Sequence, residues 1–317
     1  MNSVVLRLVL SRLGVALLTL LIVSFVVFSA TQMLPGDVAE ILLGQAATPE
    51  AVAALRSAMH LDQPAIVQYA HWLAGLAQGD LGTSYANDLP VAQLIGGRLV
   101  NTLRLAAVTA VIAVPLALTL GITCAMYRGS LYDRLVSGAV IGVISVPEFM
   151  IATLAVLVFA VWLKWLPALS LGNDIDSVGE LLRVFAMPVI TLLCVICAQM
   201  IRMTRAAMIS VLDSPYVEMA LLKGASRSRI VLRHALPNAV GPIVNAVALS
   251  LSYLFGGVII VETVFNYPGV ARLMVDSVAT RDLPLIQACA MIFCIGYLSL
   301  ITLADVIAIL SNPRLRK

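Results

Sequence analysis

Charge is what this sequence has least of. Only 12% of its 317 residues are Asp, Glu, Lys or Arg, while 61% are apolar. A soluble domain carries about twice that charge, so lipid is the solvent for most of this chain. The net charge of +3 is too small to point to nucleic acid. Lysine is confined to Lys164, Lys223 and Lys317, and none follows a glycine in a G-K-[ST] context. The chain therefore has no P-loop with which to cradle ATP phosphates. G-x-S-x-G and H-E-x-x-H are absent as well, which removes two common hydrolytic sites. The histidines His60, His71 and His234 are scattered, and no Cys/His cluster suggests a metal. Cysteine is odd in number, and Cys124, Cys194, Cys197, Cys289 and Cys294 all lie in apolar runs. That excludes a disulfide framework. The C-x-x-C of Cys194 and Cys197 has no second pair beside it and reads as two small apolar side chains. What remains has the composition of a conduit without an engine: no catalytic residue, no metal site and no cofactor of its own.

Long apolar runs are what the chain has in abundance. A helix needs about 20 apolar residues to cross the hydrocarbon core. Six stretches qualify: Leu8–Met33, Asn101–Met126, Leu135–Trp165, Phe185–Arg205, Asn238–Val261 and Leu285–Leu310. The first is too long for a cleaved signal peptide. Pro115 predicts a kink in the second span, and Pro147 predicts a tilt or break in the third. The longest polar stretch, 34–97, is punctuated by Pro and Gly. In it Thr48-Pro49 starts a short helix to about Met59, and another follows Pro64 with Ile66, Ala70, Leu73 and Ala77 on one stripe. The segments 166–183, which holds Asp174, Asp176 and Glu180, and 262–284 read as outer loops.

Basic residues orient the spans. With both termini cytoplasmic, the inner side receives Arg7, Arg12, Arg128, Arg134, Arg202, Arg205, Lys223, Arg227, Arg229, Arg233, Arg314, Arg316 and Lys317. These are thirteen of the 20 basic residues, and most carboxylates fall on the outer side. The opposite orientation reverses both biases, against the positive-inside rule. The expected fold is an all-α integral membrane protein of six transmembrane helices with both ends inside. The domain division is a first helix over 1–33, an extracytoplasmic region over 34–97, a five-span core over 98–311 and a cytoplasmic tail over 312–317.

One polar stretch interrupts this pattern on the inner side, from Tyr216 to Pro242. Val217 to Lys223 has good helix formers and no breaker. Gly224 stops that helix at a corner requiring φ > 0. Ser226 is placed to cap a second short helix, Pro237 to end it and Pro242 to sit in the first turn of the next. Helix, glycine corner and helix make a stiff lever.

The stretch resembles the EAA motif, the coupling loop of ABC importer permeases, which reads E-A-A, three residues, G, nine residues, I-x-L-P. Glu218, Met219 and Ala220 stand for E-A-A, Gly224 for the glycine and Leu236-Pro237 for L-P. Met219 and His234 depart from the motif. The flanking Tyr216-Val217 and Arg233-His234-Ala235-Leu236-x-Asn238 resemble the dipeptide, oligopeptide and nickel branch. So, in order along the chain, do Leu34-Pro35-Gly36-Asp37, Leu61-Asp62-Gln63-Pro64, Gly79-Asp80-Leu81-Gly82-Thr83-Ser84, Ser145-x-Pro147-x-Phe149, Glu262-x-x-Phe265-x-Tyr267-Pro268-Gly269 and Asn312-Pro313-Arg314.

The resemblance implies a type I ABC importer permease fold, with a coupling loop over 213–237. It implies a second homologous permease, two ATP-binding subunits that carry the ATP and Mg, and an extracytoplasmic substrate-binding protein. Glu218, Ala220, Gly224, Arg229 and Pro237 are the candidates for engaging the ATPase. Tyr267, Pro268 and Gly269 are candidates for docking the binding protein. Peptides are the first substrate class and nickel or a metal chelate the second. A secondary transporter is the reading of another class. It would use intramembrane charges and repeat symmetry, and here there is one mid-span carboxylate, Glu148, and no repeat. Glu148 beside Pro147 is the candidate wall of the translocation path, where a carboxylate would favour a cationic group.

Overall fold

The computed structural model describes residues 3–34, 36–59, 61–170 and 178–311. Asp174, Asp176, Pro35, His60 and the tail at 312–317 lie outside the described residues, as does the side chain of Glu180. The described chain is helical. The elements are α1 (Ser3–Gln32), α2 (Val38–Leu43), α3 (Pro49–Ala58), α4 (Ala65–Ala77), α5 (Val91–Met126), α6 (Leu131–Ile144) and α7 (Glu148–Ala155). They continue with α8 (Val178–Leu212), α9 (Pro215–Leu222), α10 (Arg227–Arg229), α11 (Leu236–Val264), α12 (Val270–Thr280) and α13 (Leu283–Ser311). Among the described residues, five helices are long and apolar enough to cross a membrane, and α6 with α7 makes a sixth if the pair is one span. Their outer faces carry large exposed apolar side chains such as Leu17, Leu18, Val111 and Leu135. Such surfaces suit lipid tails rather than water.

The third span is broken. α6 and α7 meet at 99° across Ser145-Val146-Pro147. Pro147 cannot donate a backbone hydrogen bond and biases Val146 away from the helical region. α7 runs on as a wider π-helical turn over Val156–Trp162. Pro115 lies inside α5 without ending it. Thr119 donates its hydroxyl to the Pro115 carbonyl at 2.7 Å.

The chain divides into two compact units. One comprises residues 1–14, 104–267 and 297–317, the other 15–103 and 268–296. In the first, α8 packs along α11, over a core of Ala125, Met208, Val231, Ala235, Ala239 and Ile243. Arg12 of α1 pairs with Asp305 of α13 at 3.3 Å. In the second, Val91, Ile95, Val270, Leu273, Leu285, Ala288 and Cys289 form the core.

Within the second unit, Thr48 caps α3 through the Ala51 N–H and Pro49 sits in its first turn, as expected. Of the stripe expected on α4, to lie on the membrane or pack on the outer mouth, Leu73 is half-buried. Ile66, Ala70 and Ala77 are exposed, while Gln68, Tyr69 and Trp72 turn inward. Tyr69 meets Phe28 of α1 with ring centroids 5.4 Å apart, and its hydroxyl lies 2.9 Å from that of Ser24. Aromatic rings bury more area than alanines, so the amphipathic tyrosine and tryptophan decide the orientation.

Asp282 ties the loop before α5 to the α12–α13 turn. Its carboxylate accepts the Ser84 hydroxyl and the backbone N–H groups of Tyr85 and, at 3.5 Å, Ala86. Burial, with the Asp282 charge beside it, pushes the Tyr85 phenol above its usual pKa. Asp282→Ala leaves these donors unsatisfied in a buried site, at a cost of about 1–3 kcal/mol. Limited proteolysis of the purified protein should then cleave faster between residues 84 and 88. An unchanged cleavage rate would show that this junction is not stabilising.

Candidate coupling loop and intramembrane cavity

The candidate coupling loop begins where α8 ends. Ser214 takes the extended conformation that opens a helix, Pro215 occupies the first turn, and α9 follows for eight residues. The Ser214 hydroxyl turns back to the Val211 carbonyl at 2.5 Å. Val217 is the buried anchor of α9, whereas Tyr216, Glu218, Met219, Leu221 and Leu222 are exposed. Gly224 stands at φ +79°, the left-handed corner expected there. A Cβ at that position meets nothing within 4 Å, so backbone conformation alone selects glycine.

Past the corner the structure departs from expectation in two ways. Ser226 holds the capping position, but its side chain caps nothing. Pro237 ends no helix: from Arg227 to Val264 the chain crosses as one long helical span. A π-helical turn over Ile230–Ala235 accommodates it. The widened turn places Pro237 at the start of the following α-helical register, where a missing N–H is no loss. Pro242 lies inside α11 rather than at the start of a new helix.

Among the coupling candidates, Glu218, Gly224, Arg229 and Pro237 are exposed and Ala220 is half-buried. A groove of about 470 Å³ runs beside α9, lined by Arg128, Asp213, Val217, Glu218, Arg227 and Ile230 among others. It brings Glu218 and Arg227, far apart on the lever, to one concavity. Arg128 pairs with Asp213 at 3.1 Å on its rim.

Tyr267, the first docking candidate, is buried at 2% exposure with its ring edge-on to Phe185 at 5.5 Å. Burial, with Glu262 nearby, raises its phenol pKa. Its side chain therefore shapes the turn rather than presenting a surface. Gly269 is buried too, and Pro268 is half-buried. The Pro268 carbonyl accepts from the Asn101 side chain at 3.0 Å, and the Val270 N–H donates to Thr102 at 2.9 Å. These contacts hold the start of α12.

Glu148 opens α7 just past the break in the third span. It lines a cavity of about 390 Å³ with Gln199 of α8 and Ser250, Tyr253, Gly256 and Gly257 of α11. Its Oε1 is buried without a hydrogen-bond partner.

Sequence reasoning missed the ion pair between Asp133 and Arg205. The Arg205 guanidinium grips the Asp133 carboxylate in a fork, Nε to Oδ1 at 2.7 Å and Nη2 to Oδ2 at 2.8 Å. The Gly129 N–H and the Ser137 hydroxyl add hydrogen bonds at 2.9 and 3.3 Å. The signal was faint: an acid among basic residues in an inner turn, with its partner on another span.

A helical protein with several helices long and apolar enough to span a membrane, a helix–corner–helix loop between two of them and a cavity among them has the form of a membrane transport subunit. Residues 117–317 match the family described as binding-protein-dependent transport system inner membrane component, and residues 5–106 match its N-terminal domain. The chain belongs to that family. It is similar to the glutathione transport system permease protein GsiC of Escherichia coli K12, at 37% identity covering 97% of this chain and 98% of that protein. The GsiC protein of Salmonella typhimurium is 36% identical over the same shares. The chain is therefore a permease component of an ABC transporter, a non-catalytic, multi-pass inner-membrane protein of the type I permease fold. A substrate-binding protein and an ATPase are its implied partners.

Proposed function

We propose that this chain forms half of the translocation path of a peptide importer. It would pair with a second, homologous permease and with two ATP-binding subunits that carry ATP and Mg. The observation that carries this reading is the end-to-end likeness to permeases named for glutathione, itself a small peptide. ATP-driven closure of the ATPases would move α9 through Glu218, Ala220, Gly224 and Arg229, with Pro237 at the base of the long helix beyond. Rocking of α8 and α11 would then open the outer side and close the inner one. The binding protein would dock on the outer surface near the turn that Tyr267, Pro268 and Gly269 shape, and Glu148 would face the path.

Reconstitution tests the substrate. The complex, in vesicles with its cognate binding protein, should accumulate labelled glutathione or short peptides when ATP is supplied inside. Uptake of nickel or a metal chelate with no peptide uptake would overturn the peptide reading. Topology is tested separately. A cysteine introduced by Ser228→Cys should resist an impermeant maleimide in intact cells and react once the membrane is opened. Labelling in intact cells would reverse the orientation.

A further inference from the structure

The cavity beside the break in the third span combines features that a merely structural carboxylate does not need. Two of the residues that line it carry a buried polar atom without a hydrogen-bond partner, Glu148 Oε1 and Ser250 Oγ. They come from different helices, α7 and α11. An ionised carboxylate left unpaired within the membrane is costly. A structural acid would have found a partner, as Asp133 did in Arg205.

Among the described residues, no cationic side chain lines this cavity. The nearby Arg202 donates to the Gln199 side-chain oxygen, at 2.9 Å. The Gln199 amide N–H reaches the Met203 sulfur, at 3.8 Å, a weak acceptor. Gln199 and Tyr253 also line the cavity, and the rest of the wall is apolar.

The neighbouring backbone makes room for the acid. A Cβ on Gly257 would collide with Glu148 Oε1 and with its carboxyl carbon, 3.2 Å away. Glycine at this position leaves room for the carboxylate where it stands.

A group that satisfies these atoms together must donate several hydrogen bonds and carry positive charge. An ammonium has three donors and one charge. We infer that Glu148, Ser250 and Tyr253 form a transient subsite for the ammonium group of the transported peptide, with Gly257 holding the space the carboxylate needs. The inference rests on the peptide reading above and adds the recognition chemistry. A subsite on a path must bind weakly enough to release its occupant, and one carboxylate with two hydroxyls in a partly open cavity fits that need better than a closed cage.

The test compares one labelled peptide with a free amino terminus and the same peptide N-acetylated. Both are supplied with the same binding protein to vesicles containing the assembled complex, so the binding protein's own preference cancels between permease variants. The wild-type complex should favour the free amine. In Glu148→Gln that preference should fall about tenfold, in Ser250→Ala about threefold, and Glu148→Asp should retain part of it. Co-purification of the partner subunits checks that each variant assembles. If Glu148→Gln fails to assemble, Ser250→Ala decides, and an unchanged preference there overturns the subsite. Equal losses for both peptides, or no change in either, would overturn the subsite while leaving the peptide reading intact. Wild-type uptake of neither peptide would bring down the peptide reading and the subsite with it.

Discussion

Gly224→Val should abolish most transport while leaving the protein in the membrane. The residue sits at φ +79° with open space around its Cα. Valine there meets no clash, so the whole effect comes from the backbone. A β-branched residue resists the left-handed region, at a cost of about 1–3 kcal/mol. With each 1.4 kcal/mol worth tenfold, the corner should be populated about 5–150-fold less often. α9 carries Glu218 and ends at Leu222, two residues before the corner, and the basic residues Arg227 and Arg229 follow three and five residues after it. Straightening the corner separates these two faces of the lever. ATP hydrolysis by the complex should continue, with uptake per ATP falling at least tenfold. Gly224→Asn, which tolerates positive φ, should recover much of it. Normal uptake by the valine variant would mean that the loop needs only to be basic and soluble.

The number of spans was legible because a bilayer imposes a minimum apolar length. The ends of the spans were not. α5 starts at Val91 rather than near Asn101 because Gln93 and Arg98 are good helix formers, and helix continues past the apolar limit. α8 reaches Leu212 for the same reason. Pro147 announced a break, but proline alone does not set an angle, and the 99° turn depends on how α7 packs against α8 and α11. At Pro237 local chemistry misled. A π turn absorbed the missing N–H, and no side-chain pattern marks such a turn. α12 was legible in principle: Val270, Leu273, Met274 and Ser277 follow helical spacing inside a stretch read as outer loop.

The site divides in the same way. Glu218, Gly224 and Pro237 lie close together in sequence, so motif spacing made them candidates. A lone carboxylate in an apolar run made Glu148 one. Its neighbours Gln199, Ser250 and Gly257 lie on other helices, and nothing local marks them. A buried glycine that makes room for a distant carboxylate looks like any glycine in a span. Tyr267 illustrates the converse: the turn that holds it was recognisable, but its burial against Phe185 was not.

The second large effect is expected where α6 meets α8. Asp133 is nearly fully buried, and the Arg205 side chain is 29% exposed. Two parallel N–H···O bonds join them, and Gly129 and Ser137 saturate the remaining carboxylate positions. A bidentate pair of this kind fixes both distance and orientation. It anchors the α6 arm of the broken span to the helix that leads into the lever. Removing one partner leaves the other charge unpaired in a low-dielectric site, at about 3–5 kcal/mol. Asp133→Ala should sit towards the lower end, because Arg205 retains some access to solvent and can turn outward. Arg205→Met strands the deeper charge and should be the more damaging. The double variant Asp133→Leu with Arg205→Met removes both charges and should recover most of the lost stability. Thermal unfolding of the detergent-solubilised protein, followed by loss of a monodisperse species, reads the order: wild type, double variant, Asp133→Ala, Arg205→Met. A double variant less stable than both single ones would mean that the site holds α6 by packing, with the charges incidental. If the double variant is stable yet transports poorly, the pair also sets the geometry through which the lever moves the third span.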